Sequence, residues 1–134
     1  MEEPSVVSEP KPLNILMVDD EESIRETGRF MLIKFGHHVE IAENGAVAWE
    51  MFQGQPDFYD IVVTDLTLPK LSGLDLAVKI RGVNQSIPII LSSGNLEDKT
   101  QQEYYNLGIT RFLPKPWTHK ILLGVIDSEM DKLI

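Results

Sequence analysis

Apolar residues come in short bursts along this chain, and the bursts are of two kinds. Five are brief, leucine-rich or β-branched, and bounded by turn residues: Leu13–Val18, His38–Ala42, Ile61–Val63, Ile87–Leu91 and Ile109–Leu113. Runs of this length without polar alternation read as strands covered on both faces of a parallel sheet. His38–Ala42 is the least apolar of them, which places it nearer a sheet edge, and Pro88 is tolerable because it falls where its run begins. Between the bursts, apolar positions recur at helical spacing. Ile24, Met31 and Phe35 mark a first helix, with Ser23 and Glu26 as its capping box and Gly36 as its stop. Asn44 caps a second helix running through Phe52, with Gly54, Pro56 and Asp57 as the exit. A third runs from about Gly73 to Arg81 with Leu76, Ala77 and Ile80 facing inward. Leu96 to Leu107 is the most polar helical segment and is expected to be the least firmly anchored. Thr118 caps a last helix whose Ile121, Leu122, Val125, Ile126, Met130 and Leu133 share one face.

Strands alternating with helices, without an internal repeat, predict an α/β domain with a doubly wound parallel sheet and right-handed crossovers. Five such units at this length favour the flavodoxin-like (βα)5 order 2-1-3-4-5. That order brings the carboxyl ends of the first, third, fourth and fifth strands to one shared edge, where open α/β sheets carry their chemistry. Met1 to Pro12 holds three prolines and three acidic residues and little that could pack, so residues 1–12 read as a disordered tail or linker remnant and 13–134 as the domain.

Composition narrows the function classes. A length of 134 residues suits one domain with a sizeable core. A net charge of -9 argues against a nucleic-acid partner, whose phosphates need clustered Lys and Arg. No apolar run is long enough to insert in a membrane and no signal-peptide pattern opens the chain. The absence of Cys removes thiolate chemistry and suits a reducing, cytoplasmic setting.

Candidate chemistry gathers at the predicted edge. Asp19 and Asp20 end the first strand, Asp65 the third, Ser93 the fourth, and Lys115 follows the fifth. Each has an ordinary explanation alone: a helix-start acidic pair, a turn-capping Asp, a turn Ser, an exposed Lys in a Pro-rich loop. Together they say more. Crowded carboxylates raise one another's pKa unless a cation is bound, and hard oxygen ligands with open positions suit Mg²⁺. A Lys and a Ser at the same edge can hold phosphoryl oxygens, and a carboxylate can attack phosphorus to give an aspartyl phosphate. The set describes a phosphoacceptor site worked by positioning and charge neutralisation. The three His (His37, His38, His119) are too scattered for a His-based metal site, and Trp49 and Trp117 have no assignable chemistry. Trp117 is expected to pack at the start of the last helix or to line a partner surface.

The acidic pair Asp19-Asp20, Asp65 followed by Leu68-Pro69 and Gly73, Ser93-Gly94 and Lys115-Pro116 resemble the receiver domain of two-component response regulators, over nearly the whole chain from about Leu13. The resemblance implies that Asp65 is phosphorylated, that Asp20 binds Mg²⁺ directly, and that Asp19 holds it largely through water. Thr67 would lend its backbone carbonyl to the metal. It further implies that Ser93 is the switch hydroxyl, Phe112 the switch aromatic and Lys115 the phosphoryl-contacting lysine, and that the Lys115–Pro116 bond is cis. Thr67 and Asn95 stand where side chains flank the water that attacks the acyl phosphate. Leu68 and Ser93 replace the Met and Thr common in the family and keep the chemistry. The donor would be a sensor histidine kinase or phosphotransfer protein, and an unidentified downstream protein would read the surface of the fourth helix, fifth strand and fifth helix. Turnover of an external substrate is not expected, because Thr67 stands where an aspartate-based phosphatase needs a second carboxylate. A flavin-mononucleotide site is not expected either, because Asp19-Asp20-Glu21 would repel its phosphate. The alternative is a receiver-like protein-binding module that is never phosphorylated. No DNA-binding output region follows, so the chain is expected to act alone through protein partners or to be a receiver taken from a larger protein.

Overall fold

Why the central strands carry no polar alternation becomes plain once their neighbours are seen. The computed structural model describes residues 11–94 and 99–132. Most of the expected tail, the stretch from Asn95 to Asp98, and Leu133 lie outside the described residues. The elements run β1 (Asn14–Val18), α1 (Glu22–Lys34), β2 (His38–Ala42), α2 (Gly45–Gly54), β3 (Ile61–Asp65), α3 (Gly73–Arg81), β4 (Ile89–Ser93), α4 (Gln101–Asn106), β5 (Arg111–Pro114) and α5 (His119–Asp131). The strands form one parallel sheet in the order β2-β1-β3-β4-β5. This is the flavodoxin-like arrangement, with β2 at an edge as its composition predicts and β3 in the middle, all five of its residues buried.

Successive strand residues feed opposite layers. Leu16, Val18, Val62, Ile89 and Leu91 pack under α2, α3 and α4 against Phe52, Leu76, Ile80 and Tyr104. Ile15, Met17, Ile61, Val63, Ile90 and Leu113 pack under α1 and α5 against Leu32, Leu122 and Ile126. Both faces are covered, so a polar residue inside a central strand needs a partner.

Caps decide where the helices start. Asn44 Oδ1 accepts from Val47 N at 2.8 Å, and Thr118 Oγ1 from Ile121 N at 3.2 Å, as the pattern predicts. The capping box expected at Ser23 and Glu26 is not formed. Asp19 Oδ1 accepts from Glu21 N at 2.9 Å instead, and this turn starts α1 at Glu22, ahead of Ser23. The box lies on α4, where Thr100 Oγ1 accepts from Glu103 N at 3.2 Å and Glu103 Oε1 accepts from Thr100 N at 2.7 Å. In α1 the buried row is Gly28 and Leu32, with Ile24 and Met31 half-buried; Phe35, the C-cap residue, has left the helical phase and is 51% exposed. In α5 Ile121 turns out to solvent, 48% exposed, while Glu129 is buried along the row expected to be apolar.

The described helix α4 begins at Gln101, not Leu96. Strand β4 begins two residues later than the apolar run, because Ile87 N is held by Asn84 Oδ1 at 3.0 Å and Pro88 has no N–H. Strand β5 likewise begins at Arg111, because Ile109 N still bonds to Tyr104 O at 3.2 Å at the end of α4. The turn after β3 is closed by Gly73 N donating to Leu66 O at 2.9 Å, and a Cβ on Gly73 would run into the Asp65 carbonyl, so glycine is required there.

Candidate functional site

Asp19, Asp20 and Asp65 meet where β1 and β3 end. One carboxylate oxygen from each lies within 4.8 Å of the others. Asp19 and Asp65 are buried and Asp20 is exposed, so the cluster is floored by protein and open at one side. Lys115, in the loop after β5, reaches over it. Its Nζ donates to Asp19 Oδ2 at 3.0 Å and to Asp65 Oδ2 at 3.2 Å. Among the described residues every ion pair onto these carboxylates comes from Lys115.

Three carboxylates thus face one ammonium, and the titration of the groups reflects it. Burial pushes the Asp65 carboxyl above its usual range; Lys115 opposes this and the Asp19 charge adds to it. Burial alone would lower the Lys115 ammonium, but its bonds to Asp19 and Asp65 outweigh this and raise it above an ordinary lysine. Hard oxygen donors, a surplus of negative charge and one open side fit a divalent cation.

The remaining predicted residues surround this cluster. Ser93 ends β4, half-buried, and its carbonyl accepts from Lys115 N at 3.1 Å. Phe112 pairs in register with Leu91 and packs edge-to-face on Tyr104 and Tyr105, with ring centroids 5.8 and 5.2 Å away. Ser93 and Phe112 line one cavity of about 180 Å³ together with Gln101 at the start of α4. Thr67 sits in the exposed turn two residues beyond Asp65. Asn95 lies outside the described residues. The Lys115–Pro116 peptide bond is cis.

One bond at the edge escaped the sequence reading. Trp117 Nε1–H donates to Ser92 Oγ at 3.2 Å, and Ser92 is 4% exposed. A signal existed: Ser92 is a polar residue in a strand covered on both faces, and such a hydroxyl needs a partner.

With this geometry in place, the comparisons with known proteins agree with it. The family described as the response regulator receiver domain matches residues 15–127. The chain belongs to that family, the receiver domains of phosphorylation-dependent two-component signalling. It is 36% identical over 123 residues to the aerobic respiration control sensor protein ArcB of Escherichia coli (strain K12), covering 89% of this chain and 15% of that protein. It is 33% identical over 127 residues to the 3',5'-cyclic-nucleotide phosphodiesterase regA of Dictyostelium discoideum, covering 92% of this chain and 16% of that one. The chain therefore spans under a fifth of these two curated relatives. A response regulator receiver domain protein from Clostridium thermocellum superposes with a TM-score of 0.83 at 27% identity, covering 90% of this chain and 95% of that one.

Proposed function

We propose that Asp65 is the phosphoacceptor of this receiver domain. The observation that carries the reading is the contact of one ammonium, Lys115, with both Asp65 and Asp19 at the carboxyl end of the central strand. An Asp65 carboxylate oxygen attacks the phosphorus of the donor, and the bond from phosphorus to the donor's nitrogen or oxygen breaks with its electron pair leaving on the donor. Lys115 moves from bridging two carboxylates to donating to a phosphoryl oxygen. Ser93 donates its hydroxyl to another, and Phe112 turns inward toward the cavity they share.

Asp19, Asp20, Asp65 and the Thr67 carbonyl would hold Mg²⁺, which when bound supplies the positive charge that offsets the incoming phosphoryl oxygens. The donor is a histidine kinase or phosphotransfer protein, and the surface of α4, β5 and α5 carries the change to a downstream protein. A cytoplasmic setting belongs to this reading and is supported by the absence of Cys. Catalysis extends no further than the domain's own phosphorylation and dephosphorylation.

The test is intact-mass spectrometry after incubation with acetyl phosphate, with and without Mg²⁺, on wild type and Asp65→Asn. One added phosphoryl group that needs both Mg²⁺ and Asp65 supports the reading. No addition under any condition, and none from a kinase, supports the binding module that is never phosphorylated.

A further inference from the structure

Ser92 sits where its chemistry needs an explanation. It lies in a strand otherwise buried between apolar layers, and a buried hydroxyl left unpaired is costly. Its partner comes from 25 residues further along the chain, the Trp117 indole N–H at 3.2 Å. The indole has one donor and no acceptor, so this bond uses its whole polar capacity.

The main chain of Ser92 faces the acceptor strand. Ser92 is the register partner of Asp65, and its carbonyl accepts from Leu66 N, the residue after Asp65, at 3.1 Å. Its side chain faces the lysine loop. Lys115 is therefore bracketed by two bonds to consecutive β4 residues: its own N–H to the Ser93 carbonyl at 3.1 Å, and the Trp117 indole to the Ser92 hydroxyl. The other side of the indole meets α1. The ring lies beside Gly28, where a Cβ would make ordinary contact with it at 3.5 Å but would collide with Met17. The indole also walls a cavity of about 430 Å³ beside Lys115, lined on the helix side by Ile24 and Thr27. A lysine stem has four rotatable bonds, so its ammonium is only as well placed as its root.

We propose that Ser92 and Trp117 are positioning residues, a tie that fixes the root of Lys115 relative to Asp65. The proposal deepens the phosphoacceptor reading and rests on it for its rate effects. If Trp117 served packing alone, Phe would replace it without loss.

The test uses Trp117→Phe, Ser92→Ala and the double variant, with three readouts. These are the maximal rate of phosphoryl uptake at saturating Mg²⁺ and acetyl phosphate, the thermal midpoint, and hydrogen exchange at the Lys115 main-chain N–H read by NMR. Each single variant lowers the maximal rate on the order of tenfold, the scale of a small misplacement of a reacting group. The double variant leaves no polar group unpaired, so its thermal midpoint returns toward wild type while its rate stays low and is no worse than the singles multiplied. In all three variants the Lys115 N–H exchanges faster than in wild type, because the root of the lysine is held less firmly against Ser93. A rate that recovers along with stability in the double variant, or a wild-type rate in Trp117→Phe, overturns the tie. If wild type itself takes up no phosphoryl group, the parent reading fails and exchange of the Lys115 main-chain N–H alone decides: faster exchange upholds the tie, and unchanged exchange overturns it.

Discussion

The two ends of the sheet are made by the same strands, yet they treat polar groups in opposite ways. At the amino end donors and acceptors pair off. Asn14 N donates to Asp60 Oδ2 at 2.8 Å, Asn14 Nδ2 to the Phe58 carbonyl at 3.1 Å, and Leu13 N to His37 Nδ1 at 3.1 Å. At the carboxyl end three carboxylates crowd against one ammonium. The first arrangement stabilises the fold and leaves nothing over. The second destabilises it locally and leaves charge that a cation and a phosphoryl group can use. Stability and chemistry are thus separated along the length of the strands.

The largest test of this contrast is Lys115→Met. Without its ammonium the phosphoryl oxygens lose a preorganised donor, and the uptake rate falls on the order of 100-fold. Quenched time courses read by intact mass measure it; a rate within twofold of wild type would remove Lys115 from the chemistry.

The matching change at the other end is Asp60→Ala, which leaves the Asn14 N–H without its acceptor. It costs about 1–3 kcal/mol in urea unfolding while the uptake rate per folded molecule stays at wild type. A large rate loss here would mean that the two ends are not separable.

Asp65→Asn sharpens the contrast in the opposite sense. The folded-state pKa of Asp65 lies above its unfolded value of 3.8, so the folded state binds the proton more tightly. The cost of holding the carboxylate is fully present above the folded pKa and fades as pH falls through it. Asp65→Asn therefore stabilises the metal-free protein at pH 7, and the gain shrinks as the solution is acidified. Thermal midpoints at a series of pH values check it.

The smallest expected effect belongs to His37. Burial lowers its pKa below 6.5, against a weaker opposing pull from Asp127, and its Nδ1 must stay unprotonated to accept from Leu13. Below the unfolded pKa the unfolded state gains a proton the folded state resists, so stability is lost as pH falls from 7 toward 5. His37→Asn, which keeps an acceptor and does not titrate, should flatten that decline, read as thermal midpoints across the same pH range.

Most of this architecture was legible because burial on both faces leaves a plain mark. The apolar runs around Leu16, Val62 and Ile90 named the central strands, and Asn44 and Thr118 named their helices. What escaped depended on long-range partners. Ser23 and Glu26 have the right spacing for a capping box, but Asp19, held at the edge, turned the chain first. Phe35 and Ile121 carry apolar side chains at plausible positions, and only the phase of the finished helix shows that they point outward. At the edge, the resemblance to receiver domains and the residue types named Asp19, Asp65 and Lys115, which the structure brings within hydrogen-bond reach. The Ser92–Trp117 bond was only half legible: Ser92, polar in a covered strand, called for a partner, but nothing in the sequence pointed to a residue 25 positions away.

If the carboxyl end works through Asp65, the phosphoryl group must sit on that side chain. Reductive trapping of the phosphorylated protein with borohydride, followed by peptide mass mapping, tests this most directly, since it converts an acyl phosphate to an alcohol at the residue that carried it. One reduced residue is expected, at position 65, appearing only when Mg²⁺ and a phosphodonor were both present. A reduced residue at 19 or 20, or phosphorus that stays on the protein without any acyl phosphate to reduce, would contradict it.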